Sequence, residues 1–442
     1  MTRSGRRGRT SRQAAVRGIG TLAVAWTMGV LSLPTPGTAQ EPAREIPCEN
    51  GTAGGYACDR VDLLSRLSRE ELGAADSILL NDVWGWTDPA TGREYALVGP
   101  MDGVAFVDVT EPRLPRYLGS LAATAGSRIT IWRDMKVFRD HAFVVAGGAG
   151  PHGMQVFDLR QLREVTEPRE FTPAARYTGV ESSINVAING ETGFAYLLGS
   201  SGGETCGGGA HIVDIGEPLD PVFAGCFAHP GTGRQLTGTT HDAQCVLYQG
   251  PDEAYQGREI CLSANETSIS IADLTDKRNP TPITTAQYPR IGYAHQGWLT
   301  EDHRHFYSTD ETDEMVETVD RQRTLIWDLS DLDDPILVKE YFAPVGGPEH
   351  NLYVHGDRLY ITDRRAGLRV LDIGDPENPG EAGFFDTTSP GADTSRFVGA
   401  WSVYPFFESG SVLVSSRPIV DGDIHYRTPF HLPSGGSRRA YS

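Results

Sequence analysis

Gly367-Leu-Arg-Val-Leu-Asp-Ile-Gly-Asp-Pro-Glu-Asn-Pro379 decides the fold, because copies of it recur along the chain at a near-constant interval. An apolar run containing Leu368, Val370 and Ile373 surrounds Asp372. An acidic Gly/Pro turn follows, then a second apolar stretch toward Phe384 and Phe385. Period-two alternation broken by turn residues is the pattern of a β-hairpin. The earlier copies begin at Gly103, Gly153, Gly209, Ser268 and Arg323, and each carries an aspartate at the same place: Asp108, Asp158, Asp214, Asp273 and Asp328. One acid per copy is more than catalysis needs. The expected role is structural, with each carboxylate accepting N–H bonds from the turn that follows it.

Working outward, every unit opens on a polar pair followed by an apolar run: Asn81-Asp82, Arg133-Asp134, Ile184-Asn185, His241-Asp242, His295-Gln296, His350-Asn351 and, less regularly, Ala400-Trp401. The second members lie 50 to 57 residues apart. That interval holds four short strands and their turns, which is one blade of a β-propeller. Seven openings predict an all-β, seven-bladed propeller over residues 61–416. The strand Val61–Leu67 is expected to close the ring as an outer edge, and the last blade is expected to be incomplete. From about Arg417 to Ser442 the chain lacks apolar periodicity, which predicts an irregular tail. With 51 glycines and 28 prolines in 442 residues, the composition suits many strands joined by turns.

Residues 1–39 read as a secretory signal peptide. Six arginines precede an uncharged run from Gly18 to Leu33, and Gly37-Thr-Ala39 supplies a small-residue cleavage site. The apolar run is shorter than the roughly 20 residues a bilayer-spanning helix needs, so no membrane span is expected after cleavage. Losing those arginines moves the formal charge from −19 to −25, a field that repels nucleic acid and anionic lipid and favours cations. Export makes oxidised cysteines the expectation. Hairpin symmetry selects Cys48–Cys58 within an N-terminal segment over 40–60, Cys206–Cys226 and Cys245–Cys261 from the 15 possible pairings.

On Asn81-Asp-Val-Trp-Gly-Trp-Thr-Asp-Pro89, His152-Gly-Met-Gln-Val-Phe-Asp158, Thr240-His-Asp-Ala-Gln-Cys245, His295-Gln-Gly-Trp-Leu-Thr-Glu-Asp302 and Gly399-Ala-Trp-Ser-Val-Tyr-Pro405, the chain resembles the choice-of-anchor B family. That family comprises secreted bacterial proteins built on LVIVD-type propeller repeats. The resemblance runs from about Cys48 to Ser416 and implies fold and export, not an activity.

Two patterns match catalytic motifs by letter: Gly199-Ser-Ser-Gly-Gly203 and Gly148-Ala-Gly-Pro-His-Gly153. Each would need a helix immediately after it and instead runs into strand, so no catalytic residue is assigned. Two sets of residues remain as candidate sites. His241, His295 and His350 open consecutive units and converge on the axis, where imidazoles can bind a ligand or a transition metal. Asp310, Glu311, Asp313 and Glu314 crowd one connection, where carboxylates suit calcium. The function expected is a secreted binding or interaction scaffold for a protein or small-molecule ligand, without nucleic acid. The alternative is a metal-dependent hydrolase with its cation at the axis or the acidic loop.

Overall fold

A computed structural model describes residues 45–388 and 399–417, and the backbone of 426–431. The signal-peptide reading of residues 1–39 falls outside the described residues. The fold is all β, and among the described residues the few helical elements are short 3₁₀ turns such as Leu159–Leu162.

Six blades are built on antiparallel strands with the opening strand innermost; Arg169–Phe171 adds a parallel edge strand to blade 1, and Tyr56–Asp59 with Thr52–Ala53 extends blade 6. Blade 1 begins at Leu80–Thr87, blade 2 at Arg133–Phe138 and blade 3 at Asn185–Asn189. Blade 4 begins at Asp242–Leu247, blade 5 at Ala294–Leu299 and blade 6 at Glu349–His355. These are six complete blades, not the seven that the openings predict. Where a seventh is expected, the sheet is a composite: Gly399–Tyr404, Ser411–Arg417, Tyr426–His431 and, on the outside, Ser65–Leu67.

The N-terminal strand thus closes the ring, but over Ser65–Leu67 only, and a strand from the segment expected to be an irregular tail stands between it and Ser411–Arg417. Pro429 lies inside that strand, where the register against Ser411–Arg417 shifts between Val412 and Val414. An irregularity of this kind is where a sheet tolerates a residue without an N–H. Each opening strand touches the next, and Gly399–Tyr404 touches Leu80–Thr87, so the inner strands encircle one axis. The core lies between neighbouring sheets. Phe106, Phe157 and Phe171 pack between blades 1 and 2, and Leu80, Val107, Tyr404 and Leu413 pack between the composite sheet and blade 1.

The repeat residues earn their recurrence locally. All six aspartates accept the backbone N–H two residues on, at 2.8–3.1 Å: from Thr110, Arg160, Gly216, Thr275, Ser330 and Gly374. The glycine that starts the aspartate strand is needed where it passes the outer strand. A Cβ on Gly367, whose φ is +75°, would lie 2.3 Å from the Phe385 carbonyl oxygen. Disulfides join Cys48 to Cys58, Cys206 to Cys226 and Cys245 to Cys261, and no described cysteine is free. Loops of 10 to 20 residues closed in this way stabilise by about 2–4 kcal/mol each.

Candidate functional site: the axial mouth

The polar pairs that open the blades line the axis in two tiers. First members and their neighbours form the outer tier. His241, His295, His350 and Trp401 lie ring against ring, with centroids 4.3, 4.3 and 4.6 Å apart. His241 Nδ1 donates to the His295 carbonyl at 3.0 Å, and His350 Nδ1 donates likewise to the Trp401 carbonyl. By the same rule His295 should donate to the carbonyl of His350, and it does not. Only 1% exposed, it has no hydrogen-bond partner at either ring nitrogen.

Glu311 enters this tier from the connection after His305–Asp310. Its Oε1 lies 2.9 Å from Arg364 Nη2 and 3.3 Å from His350 Nε2, and its Oε2 lies 3.8 Å from His295 Nε2. Burial works to raise the Glu311 pKa, but the facing imidazoles and Arg364 outweigh it and hold the group well below the carboxylate range. Burial, then Arg364, pushes His350 down to about 4. Asp82, Arg133, Ile184, Asn185 and Asn351 complete the opening with Trp132.

The second members form the inner tier. Asp82, Asp134 and Asp242 each accept the N–H of the following residue at 2.7–2.8 Å. Two residues beyond Asp134, Lys136 places its ammonium 2.6 Å from that carboxylate and 4.5 Å from the centre of the Trp84 ring. Burial would discharge Lys136, but Asp134 outweighs it and raises its pKa. Burial, then the Asp134 charge, raises Asp82 to about 7, and burial raises Asp242 to about 8.

These values fix a sign. Folded Asp82 and Asp242 keep protons that the unfolded chain has released above its ordinary carboxylate range, so their contribution is lost as pH rises through about 7 and 8. Buried His152 and His350, both pushed down to about 4, act oppositely, and their contribution is lost only as pH falls from 6.5 toward 4. Stability should therefore fall between pH 6.5 and 8. Urea midpoints across that range should decline for the native chain and decline less for Asp242→Asn. Parallel profiles would show that Asp242 is already ionised.

The structure brings His241, His295 and His350 together. It divides the acids of the loop among different partners. Asp310 accepts N–H bonds from Gly292, Tyr293, Thr312 and Asp313 and the Tyr288 hydroxyl. Asp313 pairs with buried Arg323 at 2.7 Å. Burial, followed by the neighbouring Asp313 carboxylate, pushes Glu314 up to about 11. Glu311 alone reaches the axis. Among the described residues, no cluster of three metal-ligand atoms contains Asp310, Asp313 or Glu314, whereas one contains His295, Glu311 and His350. Sequence reading misses Glu311's direction, Arg364, and the inner tier with Lys136. The recurrence of Asp, Asn or Gln as second members of the openings is the signal that marks that tier.

The profile of the LVIVD repeat matches residues 346–387, which is blade 6 with its flanking turns. A search of curated proteins finds no match. Among solved structures, a component of the COPII outer coat vertex on membranes aligns with a TM-score of 0.54 at 13% identity, covering 83% of this chain and 92% of that one. Hydrazine synthase of Kuenenia stuttgartiensis aligns at 0.48 and 12%, covering 73% and 89%. A functionally unknown protein of Desulfotomaculum acetoxidans DSM 771 aligns at 0.43 and 14%, covering 66% and 82%. At such identities the likeness extends to the β-propeller fold alone.

Proposed function

We propose that this LVIVD-repeat β-propeller is a secreted binding protein of the choice-of-anchor B kind, and that it takes its ligand into the axial mouth. The observation that carries this reading is His295, a polar side chain buried at the axis with both nitrogens unpartnered, in a mouth otherwise furnished with polar groups from neighbouring blades. Buried polar groups are ordinarily satisfied, and one left open marks a place where something else binds. Three disulfides suit an oxidising compartment, which supports export. The second reading, a metal-dependent hydrolase, is favoured by one observation, the gathering of His295, Glu311 and His350.

The test is thermal unfolding with a panel of amino acids, short carboxylates and oligosaccharides, run on the native chain and on Ile184→Trp, which fills the mouth. A ligand specific for N raises its melting temperature with concentration. At least one compound should shift the native chain and leave Ile184→Trp, folded by circular dichroism, unshifted. Equal shifts in both would place binding elsewhere.

A further inference from the structure

We propose that His295, Glu311 and His350 hold one divalent transition-metal ion, zinc or a chemically similar ion, inside the axial mouth; this rests on the ligand-pocket reading above and names what the pocket takes.

The tautomers make the argument. His350 Nδ1 carries the proton it donates to the Trp401 carbonyl, so the Nε2 of the neutral ring is a lone pair. With the ring neutral, that lone pair faces Glu311 Oε1 at 3.3 Å, so that two ligand atoms point into one opening. A cation between the two groups would be coordinated by both. His295 Nε2 lies 3.8 Å from the other oxygen of the same carboxylate and has no competing bond to give up. One ligand atom from each of the three residues lies within 4.8 Å of the others. Metal–nitrogen and metal–oxygen bonds of about 2.0–2.2 Å then require only a small inward movement of side chains.

The surroundings resemble those of ligands elsewhere. An imidazole that binds metal commonly donates its remote N–H to a backbone carbonyl, and a ligating carboxylate is itself hydrogen-bonded. The Trp401 carbonyl serves His350 in this way, and Arg364 serves Glu311. Two nitrogens and one oxygen suit zinc and its neighbours rather than calcium, which takes six to eight oxygens. Three protein ligands also leave a position for an incoming molecule. His241 is excluded from the set, because it lies outside the cluster of ligand atoms. The other groups found are weaker. Asp328, beside His305 and Glu377, already accepts from Ser330 and Arg304, and Cys206 and Cys226 are joined to each other.

Cobalt(II) titration followed by visible absorption, with elemental analysis of zinc-loaded protein after dialysis, tests the proposal on the full chain. The native protein should bind one equivalent and develop ligand-field bands of a low-coordinate ion. Glu311→Gln and His295→Ala should each weaken binding at least about 100-fold, more than the 10- to 100-fold typical of losing an outer partner. His241→Ala should retain the bands. Unfolding curves in chelator show whether each variant is folded, and Glu311→Gln keeps the test valid if His295→Ala is not. Substoichiometric metal in the native chain, or bands unchanged in Glu311→Gln, overturns the proposal. If cobalt fails while the organic panel still separates native chain from Ile184→Trp, the metal is wrong and the pocket reading stands. If the panel fails as well, both fall.

Discussion

Replacing Lys136 by methionine should destabilise the propeller by about 3–5 kcal/mol, the range for removing one partner of a buried ion pair. The buried ammonium lies against the Trp84 ring and 2.6 Å from Asp134. Methionine keeps most of the volume, so the loss is electrostatic rather than a cavity. Two N–H donors, from Met135 and Val186, would remain on Asp134 at 2.7 and 2.8 Å, but a whole charge would then lack a counter-ion. Asp82 and Asp242 stand close enough for their charges to act on Lys136, and both already resist ionising. The double variant Lys136→Met with Asp134→Asn removes the stranded anion and should recover more than half of the loss. Urea unfolding of the two variants decides it. A single-variant loss under about 1 kcal/mol would mean that Asp134 takes up a proton or is reached by water.

The parts of this structure legible in sequence are those that repeat. The aspartate strands, the turns that donate N–H groups to them and the opening pairs recur six or seven times, and recurrence lifts a weak local pattern above accident. The three axial histidines were legible for the same reason, since equivalent positions in successive blades face one axis. Glu311 was not, because nothing repeats it: it sits in a run of acids whose members point to different partners. Asp310 is taken up by backbone N–H groups and Asp313 by Arg323, and neither destination has a local sequence signal. Composition showed an acidic loop; only long-range packing shows that one of its carboxylates belongs to the histidines. The seam misleads for a related reason. Pro418 and Pro429 argue against strand wherever a continuous ladder is assumed, but Pro429 falls at a register shift, where no ladder bond is asked of it.

Ending the chain at Arg417 should therefore open the ring. The strand Tyr426–His431 pairs on one side through Ser411, Val412 and Val414, and on the other through Ser65, Arg66 and Leu67. Without it, Ser411–Arg417 becomes an open sheet edge and Ser65–Leu67 has no sheet to join. Ladder bonds contribute about 1 kcal/mol each on balance, so losing both rows removes several kcal/mol. Leu67, now buried among Leu80, Val107 and Leu413, would lose its anchorage as well. Full-length and shortened chains should differ most in hydrogen exchange at Ser65–Leu67 and Val412–Val414, while Leu368–Leu371 in blade 6 stays protected in both. The exposed edge should also pair between molecules, seen as dimers or larger species in size-exclusion chromatography. Equal protection of Ser65–Leu67 in the two chains would show that the N-terminal strand is held by side-chain packing alone and that the ring does not depend on Tyr426–His431.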